Sequence, residues 1–332
     1  MRASVARVLL AGAAASVAGA AIVFAATTGG GDPAPRAGAG WVALEPSPLQ
    51  RSEVGAARIG DRIYVVGGFL RAGGTTGRMV AYDISEDRWV KRRALPRGVN
   101  HPGVAALGGK LYVLGGQRGP SPQRRVRAFW RYSPKRDRWK RLPAPPGPRA
   151  ALALVGHKGK LYAVGGYSNK NQRLRSLLVY DVRRKRWRKR APMPTGRNHL
   201  AAVWAAGELW AIGGRRPSGR NLDVVERYDP RTNSWQPGPP LAVPRSGIAA
   251  ARAGGSIVVF GGEELAEGDS TIPEVERLDL SDIDAGWSFL DEMITPRHGL
   301  GGAAYRGVVY ALEGGPQPAL AYSNANEALA VP

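Results

Sequence analysis

The chain of 332 residues contains no cysteine, which excludes disulfides, thiolate metal centres and cysteine nucleophiles together. Acidic side chains are scarce beside basic ones, 26 Asp+Glu against 48 Lys+Arg, for a formal net charge of +22. Such an imbalance predicts attraction to anionic partners without specifying a fold. Histidine is scarce as well, with only His101, His157, His199 and His298. A metal site would need several of them to converge. His101 and His199 each follow an asparagine at one repeat register, but their repeats are not adjacent, so strand-end packing is expected, with no metal and no cofactor. What is abundant is glycine (45) and proline (26), while the 43% of hydrophobic residues fall in short runs. Short strands separated by many turns are the natural reading.

An uncharged, apolar stretch runs from Val8 to Ala26, preceded by Arg2 and Arg7. This order matches a positively charged n-region and an apolar h-region, so residues 1–26 are expected to be a signal peptide or an N-terminal membrane anchor. Both place the following chain outside the cytoplasmic membrane, secreted or anchored through residues 8–26. Residues 27–40 are rich in Gly and Pro and read as a linker.

From residue 60 onward a Gly-Gly pair recurs after an apolar strand, as in Ile63-Tyr64-Val65-Val66-Gly67-Gly68 and Leu111-Tyr112-Val113-Leu114-Gly115-Gly116. Six copies occur at intervals of 48, 50, 48, 48 and 53 residues, the last carrying Glu313 before Gly314-Gly315. An aromatic-acid step follows, seen in Tyr82-Asp83, Tyr180-Asp181 and Tyr228-Asp229, and then Trp89, Trp139, Trp187, Trp235 or Trp287. Large aromatics there can fill the wedge between neighbouring twisted sheets. With the apolar segment ahead of each Gly-Gly strand, four strands per repeat result. The Gly pairs serve close backbone approach rather than phosphate binding.

Gly-Gly, Tyr-Asp and Trp at these offsets resemble the kelch family of β-propellers over residues 41–332. The expected fold is all-β, a six-bladed propeller of four-stranded antiparallel blades. The sixth repeat lacks a tryptophan after its third strand, whereas Trp41 lies 48 residues ahead of Trp89 with no Gly-Gly strand before it. Trp41-Val42-Ala43-Leu44 is therefore expected to close the last blade, as similar kelch domains close, leaving no open edge. Some kelch-like propellers are copper oxidases with a cysteine-modified tyrosine; the absence of cysteine removes that option.

An arginine precedes each innermost strand, 16 residues ahead of the Gly pair at Arg51, Arg149, Arg197 and Arg245, with Arg297 and Arg97 offset slightly. These six are expected to rim a pocket at one end of the channel, because the arginine fork suits carboxylate, sulfate or phosphate. In similar kelch domains such arginines hold acidic peptide segments; the alternative for each is an internal ion pair. Charge is divided along the chain, net +26 over residues 71–190 and net −9 over residues 252–332. The basic runs Arg183 to Arg190 and Arg136 to Arg141 fall in outer-strand turns, where a solvated surface is the plainest reading. Export disfavours nucleic acid as partner. Glu263-Glu264 and Asp282-x-Asp284 could bind a cation or meet the basic half of a second copy, although neither has calcium-loop spacing.

The expected function is that of a noncatalytic binding or scaffold protein recognising an anionic protein segment or cell-envelope polymer through loops at one propeller face. The alternative is a carbohydrate-active enzyme resembling sialic-acid anomer mutarotases, with Glu263, Glu264 or Glu313 as acid/base.

Overall fold

A computed structural model describes residues 40–71, 74–119, 124–170, 172–266 and 269–332. The expected export segment, and the expected linker except Gly40, lie outside these. Six antiparallel sheets follow one another: blade 1 from Gly55 to Arg92, blade 2 from Gly103 to Arg141, blade 3 from Ala153 to Arg190, blade 4 from Ala201 to Pro237, blade 5 from Ala249 to Leu290, and blade 6 from Gly301 to Ala330. Among the described residues the only helical elements are two single 3-10 turns.

Within each of blades 1 to 5 the second strand is apolar and almost wholly buried, because it is sandwiched between sheet neighbours and between adjacent blades. Ile63 to Val66, Leu111 to Leu114 and Ile257 to Phe260 are all at most 2% exposed. The tyrosine of the third strand stands directly across from the tryptophan of the fourth, at Tyr82↔Trp89, Tyr132↔Trp139, Tyr180↔Trp187 and Tyr228↔Trp235. Their rings are 5.0–5.3 Å apart.

Blade 6 is completed by the N-terminus. Trp41–Ala43 pairs antiparallel with Ser323–Ala330, Trp41 opposite Leu329. Each fourth-strand tryptophan donates its indole N–H to a carbonyl four residues beyond the corresponding tryptophan of the preceding blade. Thus Trp89 reaches Glu45, Trp139 reaches Arg93, Trp187 reaches Pro143, Trp235 reaches Ala191 and Trp287 reaches Pro239, at 2.8–2.9 Å. Trp41 donates to Asp291 O at 2.9 Å and closes this outer ring.

An inner ring mirrors it. The residue just ahead of each first strand has a left-handed backbone: Glu53, His101, Ala151, His199, Gly247 and Gly299, with φ between +49° and +70°. Backbone N–H groups run from His101 to Glu53 O, Ala151 to His101 O, His199 to Ala151 O, Gly247 to His199 O and Gly299 to Gly247 O; Val54 closes the circle on Gly299 O, all at 2.8–3.2 Å. Left-handed non-glycine residues are uncommon, and here they turn the chain so that consecutive blades exchange main-chain hydrogen bonds about the axis.

The Gly pairs have the bland role expected of them. The N–H of Gly116 donates to Arg149 O of the next blade at 2.9 Å, and a Cβ on Gly115 would lie 2.2 Å from that same oxygen. In blade 6 the structure shifts the pair by one residue. Glu313 adopts φ +56° and Gly314 φ +105° at the backbone positions of the two glycines, and the strand register shifts there.

Candidate functional site

The loops entering each first strand and those joining second to third strands share one end of the propeller, since successive strands are antiparallel. At this end each blade carries a short overhanging turn. In blade 2 it is a ribbon of Gln117–Arg118 paired with Arg124–Arg125; in blade 5 it is Glu263–Glu264 paired with Ser270–Thr271. Blades 2 and 5 are opposite in a ring of six, so a basic ribbon faces an acidic one across the channel mouth.

Five of the six sequence-predicted arginines are not on this mouth. Arg51, Arg197, Arg245 and Arg297 are 0% exposed and Arg149 is 4% exposed. Arg51 makes a bidentate pair with Glu313 at 2.7 and 2.8 Å and donates to the carbonyls of Gly67 and Arg78 at 2.9 Å. Arg197 pairs with Glu226, Arg245 with Glu276 at 3.0 Å and Arg297 with Glu327 at 2.8 Å. Each also donates to backbone carbonyls of its own blade, as Arg197 to Ala211 O and Arg297 to Ala311 O. The pocket-rim expectation is corrected for these five. The guanidinium groups of Arg51, Arg197, Arg245 and Arg297 tie the entering loop to neighbouring strands, because a buried charge needs a paired and hydrogen-bonded partner, and a ligand has no access to any of the five. Arg97 alone is exposed. Glu313, a candidate acid, is likewise committed to Arg51.

Arg149 has lost its partner. At the position of Glu226 and Glu276 blade 3 carries Leu178. Arg149 contacts Ser176 Oγ at 3.1 Å, while its Nε and Nη1 have no partner, and burial pushes its pKa down to about 10. An unsatisfied buried group of this kind costs about 1–3 kcal/mol. Arg149→Met is therefore expected to raise the unfolding free energy by about that amount. Equilibrium urea unfolding reads it, and a variant less stable than wild type would show that Arg149 is a net asset.

The histidines are the second correction. His101, His199 and His298 converge at the channel mouth with Glu53 and Glu263. His101 Nε2 lies 3.0 Å from Glu53 Oε2, and His298 Nδ1 lies 3.3 Å from Glu53 Oε1 and 3.4 Å from Glu263 Oε2. The rings of His101 and His199 meet edge to face at 4.9 Å. Arg215 bridges the far side, donating to Glu263 Oε1 at 2.7 Å and lying 3.0 Å from His199 Nε2. Three glycines make the room. A Cβ at Gly299 would meet Glu53 Oε1 at 2.7 Å, one at Gly315 would meet His298 Nε2 at 2.7 Å, and one at Gly247 would meet His298 Cβ at 3.3 Å. Beneath lies an apolar collar including Val54, Leu152, Leu200 and Leu300, and the cavity between is narrow, about 80 Å³.

Proton affinities follow this geometry. Burial opposes the Glu53 carboxylate, but the charge and hydrogen bond of His101, with the hydrogen bond of His298, hold it well below the usual carboxylate range. Burial, then the Arg215 guanidinium, holds His199 well below an ordinary imidazole. For His298 burial favours the neutral ring, yet the hydrogen bond and charge of Glu53 and the charge of Glu263 outweigh it and raise its pKa.

From this cluster an aromatic and cationic path leads outward. Tyr167 stacks on His199 at 6.1 Å, with the guanidinium groups of Arg125 and Arg173 at 4.4 and 5.3 Å from its ring centre. Beyond it a groove of about 570 Å³ is lined by Arg97, Arg118, Arg124, Arg125 and Arg127, and among the described residues lining it there is no Asp or Glu. Arg118 and Arg124 stand directly opposite one another in the ribbon, and like charges so placed are destabilising. Glu264, another acid candidate, accepts from Asn221 Nδ2 at 3.0 Å, lining a separate groove between blades 4 and 5.

A family model described as the KLHDC2/KLHL20/DRC7 Kelch-repeats domain matches residues 41–192 and 150–325 of the chain. Kelch-like protein 41a of Danio rerio is 27% identical over 127 residues, which are 38% of this chain and 21% of that protein. The chain thus matches only about a fifth of that relative's length. Among solved structures, that of YjhT superposes with a TM-score of 0.74 at 19% identity, covering 85% of this chain and 95% of the other. At that identity the likeness is one of fold.

Proposed function

Because this chain belongs to the kelch-repeat family of β-propellers, we propose that it is an extracytoplasmic binding protein whose blade 2 groove holds an anionic peptide segment or polymer. The observation that carries the reading is a groove lined by five arginines and, among the described residues that line it, no Asp or Glu. Two of these arginines are held face to face at a folding cost that an anion would relieve. Arg97 belongs to this groove, so the anion-binding role expected of a rim of six passes to Arg97 and four arginines from the blade 2 turn. The opposed acidic ribbon of blade 5 repels the same ligand and so fixes its direction across the mouth. The location outside the cytoplasmic membrane rests on the charged and apolar order of residues 1–26.

Arg118→Glu with Arg124→Glu is expected to weaken binding of heparin and of a poly-glutamate peptide about tenfold or more, each charge-assisted hydrogen bond being worth about 1.5–3 kcal/mol. Reversal of Arg183 and Arg184 at the outer edge of blade 3 is expected to change it little. Equal losses from both pairs would reduce the interaction to diffuse charge, and no loss from the first pair would refute the groove. Comparing the two probes separates a sulfated polymer from a carboxylate-rich peptide.

The carboxylate and imidazole groups at the channel mouth support a second reading, proton transfer at the anomeric centre of an acidic sugar as in sialic-acid mutarotases. Its test is the anomerisation rate of sialic acid followed by NMR, with loss expected in Glu263→Gln; a wild-type rate equal to the uncatalysed one rejects it.

A further inference from the structure

We propose that the channel mouth is a divalent transition-metal site of the zinc class, with Glu53, His101 and His199 as its protein ligands. Their ligating atoms all lie within 4.8 Å of one another. They come from blades 1, 2 and 4, each from a left-handed position of the inner ring. This ring fixes their Cα atoms through main-chain hydrogen bonds, so the constellation is built into the way the blades join.

The imidazole tautomers fit the assignment. Asn100 Nδ2 donates to Thr75 Oγ1 at 2.8 Å, which turns Asn100 Oδ1 toward His101 Nδ1 at 2.7 Å. His199 Nδ1 lies 3.0 Å from Asn198 Oδ1 in the same way. In the tautomer that these contacts favour, Nδ1 donates to the preceding asparagine and Nε2 presents its lone pair to the axis, with Gln117 Nε2 also 3.2 Å from His101 Nδ1. This is the outer-shell arrangement that orients histidine toward a metal. The lone pair of His101 Nε2 then faces Glu53 Oε2 at 3.0 Å. Two acceptors at that distance require a cation between them, either a proton or a metal. The spacing also suits zinc, since two ligands at about 2.0–2.1 Å in tetrahedral geometry are about 3.3 Å apart.

The surroundings give a second, independent sign. His298 is 1% exposed, and its Nδ1 sits between the two carboxylates, 3.3 Å from Glu53 Oε1 and 3.4 Å from Glu263 Oε2. Two carboxylates, from Glu53 and Glu263, face the guanidinium of Arg215 and the ring of His298. Binding at His199 Nε2 displaces one nitrogen of Arg215, which stays anchored to Glu263 through the other. The mouth side of the ion is left open, because the apolar collar seals only the axis beneath. Glu53 and two histidines with an open position form a set suited to zinc, nickel or iron rather than to calcium or magnesium, which prefer oxygen ligands.

The test uses the full chain without a polyhistidine tag, stripped with chelator and titrated with Zn²⁺ by calorimetry and with Co²⁺ by visible absorption. Binding of one ion per chain is expected, with a thermal midpoint that rises with Zn²⁺ concentration. His101→Gln and His199→Gln should each weaken the ion more than about tenfold, and Asn198→Ala about tenfold through loss of ring orientation. His157→Gln should leave binding unchanged, since His157 stacks on Trp204 at 3.9 Å near the hairpin end of blade 3. Absence of a Co²⁺ spectrum in wild type overturns the proposal without any variant. So does binding that survives both histidine substitutions unchanged, or that is lost equally in His157→Gln.

Discussion

Glu313→Ala is expected to lower the unfolding free energy of the propeller by about 3–5 kcal/mol, the range for removing one partner of a buried ion pair. The carboxylate is 0% exposed and takes both forks of Arg51 together with the hydroxyl of Ser47 at 2.6 Å. Its loss leaves a guanidinium with no anion in a region closed to water. The same residue sits at a backbone position that glycine fills in the other five blades, at φ +56°, where a non-glycine residue costs about 1–2 kcal/mol. Glycine there would relieve that strain but still strand Arg51, so Glu313→Gly should lose less than the alanine variant and remain below wild type. The double variant Arg51→Met, Glu313→Met should recover much of the deficit, because apolar replacement of a whole buried pair is often neutral or better. Urea unfolding midpoints at constant slope would measure all four proteins. If Glu313→Ala were as stable as wild type, the pair would be no clamp.

This clamp shows why the fold was legible in the sequence and the site was not. Blade number, strand order and the closing strand follow from local signs that repeat: an apolar run ending in Gly-Gly, a tyrosine facing a tryptophan, and Trp41 in phase with Trp89. Those positions are architectural, and architecture is what repeats. The arginines also repeat, and for the same reason, but their residue type is usually exposed and their acids lie far along the chain. The separations are nonetheless regular, 29 residues from Arg197 to Glu226, 31 from Arg245 to Glu276 and 30 from Arg297 to Glu327. Aligning blades 4, 5 and 6 would have paired them, and Leu178 would have marked Arg149 as the exception.

The histidine cluster was hidden by a geometric assumption. Adjacency around a ring governs contacts at the outer strands, where blades are far apart. At the axis six segments of the chain crowd one narrow cavity, and residues from blades 2 and 4 touch across it, as the 4.9 Å between the rings of His101 and His199 shows. The shared Asn-His register was the available sign. At that inner position Glu53, His101 and His199 carry ionisable side chains where the other three blades have Ala151, Gly247 and Gly299.

Trp41→Ala is expected to be the other severe lesion, with a loss of about 3–5 kcal/mol. Trp41 is 8% exposed, packs edge-on against Phe260 of blade 5 at 5.8 Å and supplies the last hydrogen bond of the outer ring. Trp41→Phe keeps much of the packing and removes the donor, so its loss should be smaller, near the about 1 kcal/mol of one hydrogen bond plus the lost area. Deleting residues 41–46 does something different in kind. It uncovers the outer edge of the strand Ser323–Ala330 from Asn326 to Leu329, where Trp41 to Leu44 had paired. Exposed edges of that sort recruit other chains. The deletion should therefore raise light scattering or produce dimers at concentrations where Trp41→Ala stays monomeric, even if the two unfold at similar temperatures. A monomeric deletion variant of wild-type stability would show that the ring is held shut without its N-terminal strand. The three-residue strand would then be a cover rather than a latch.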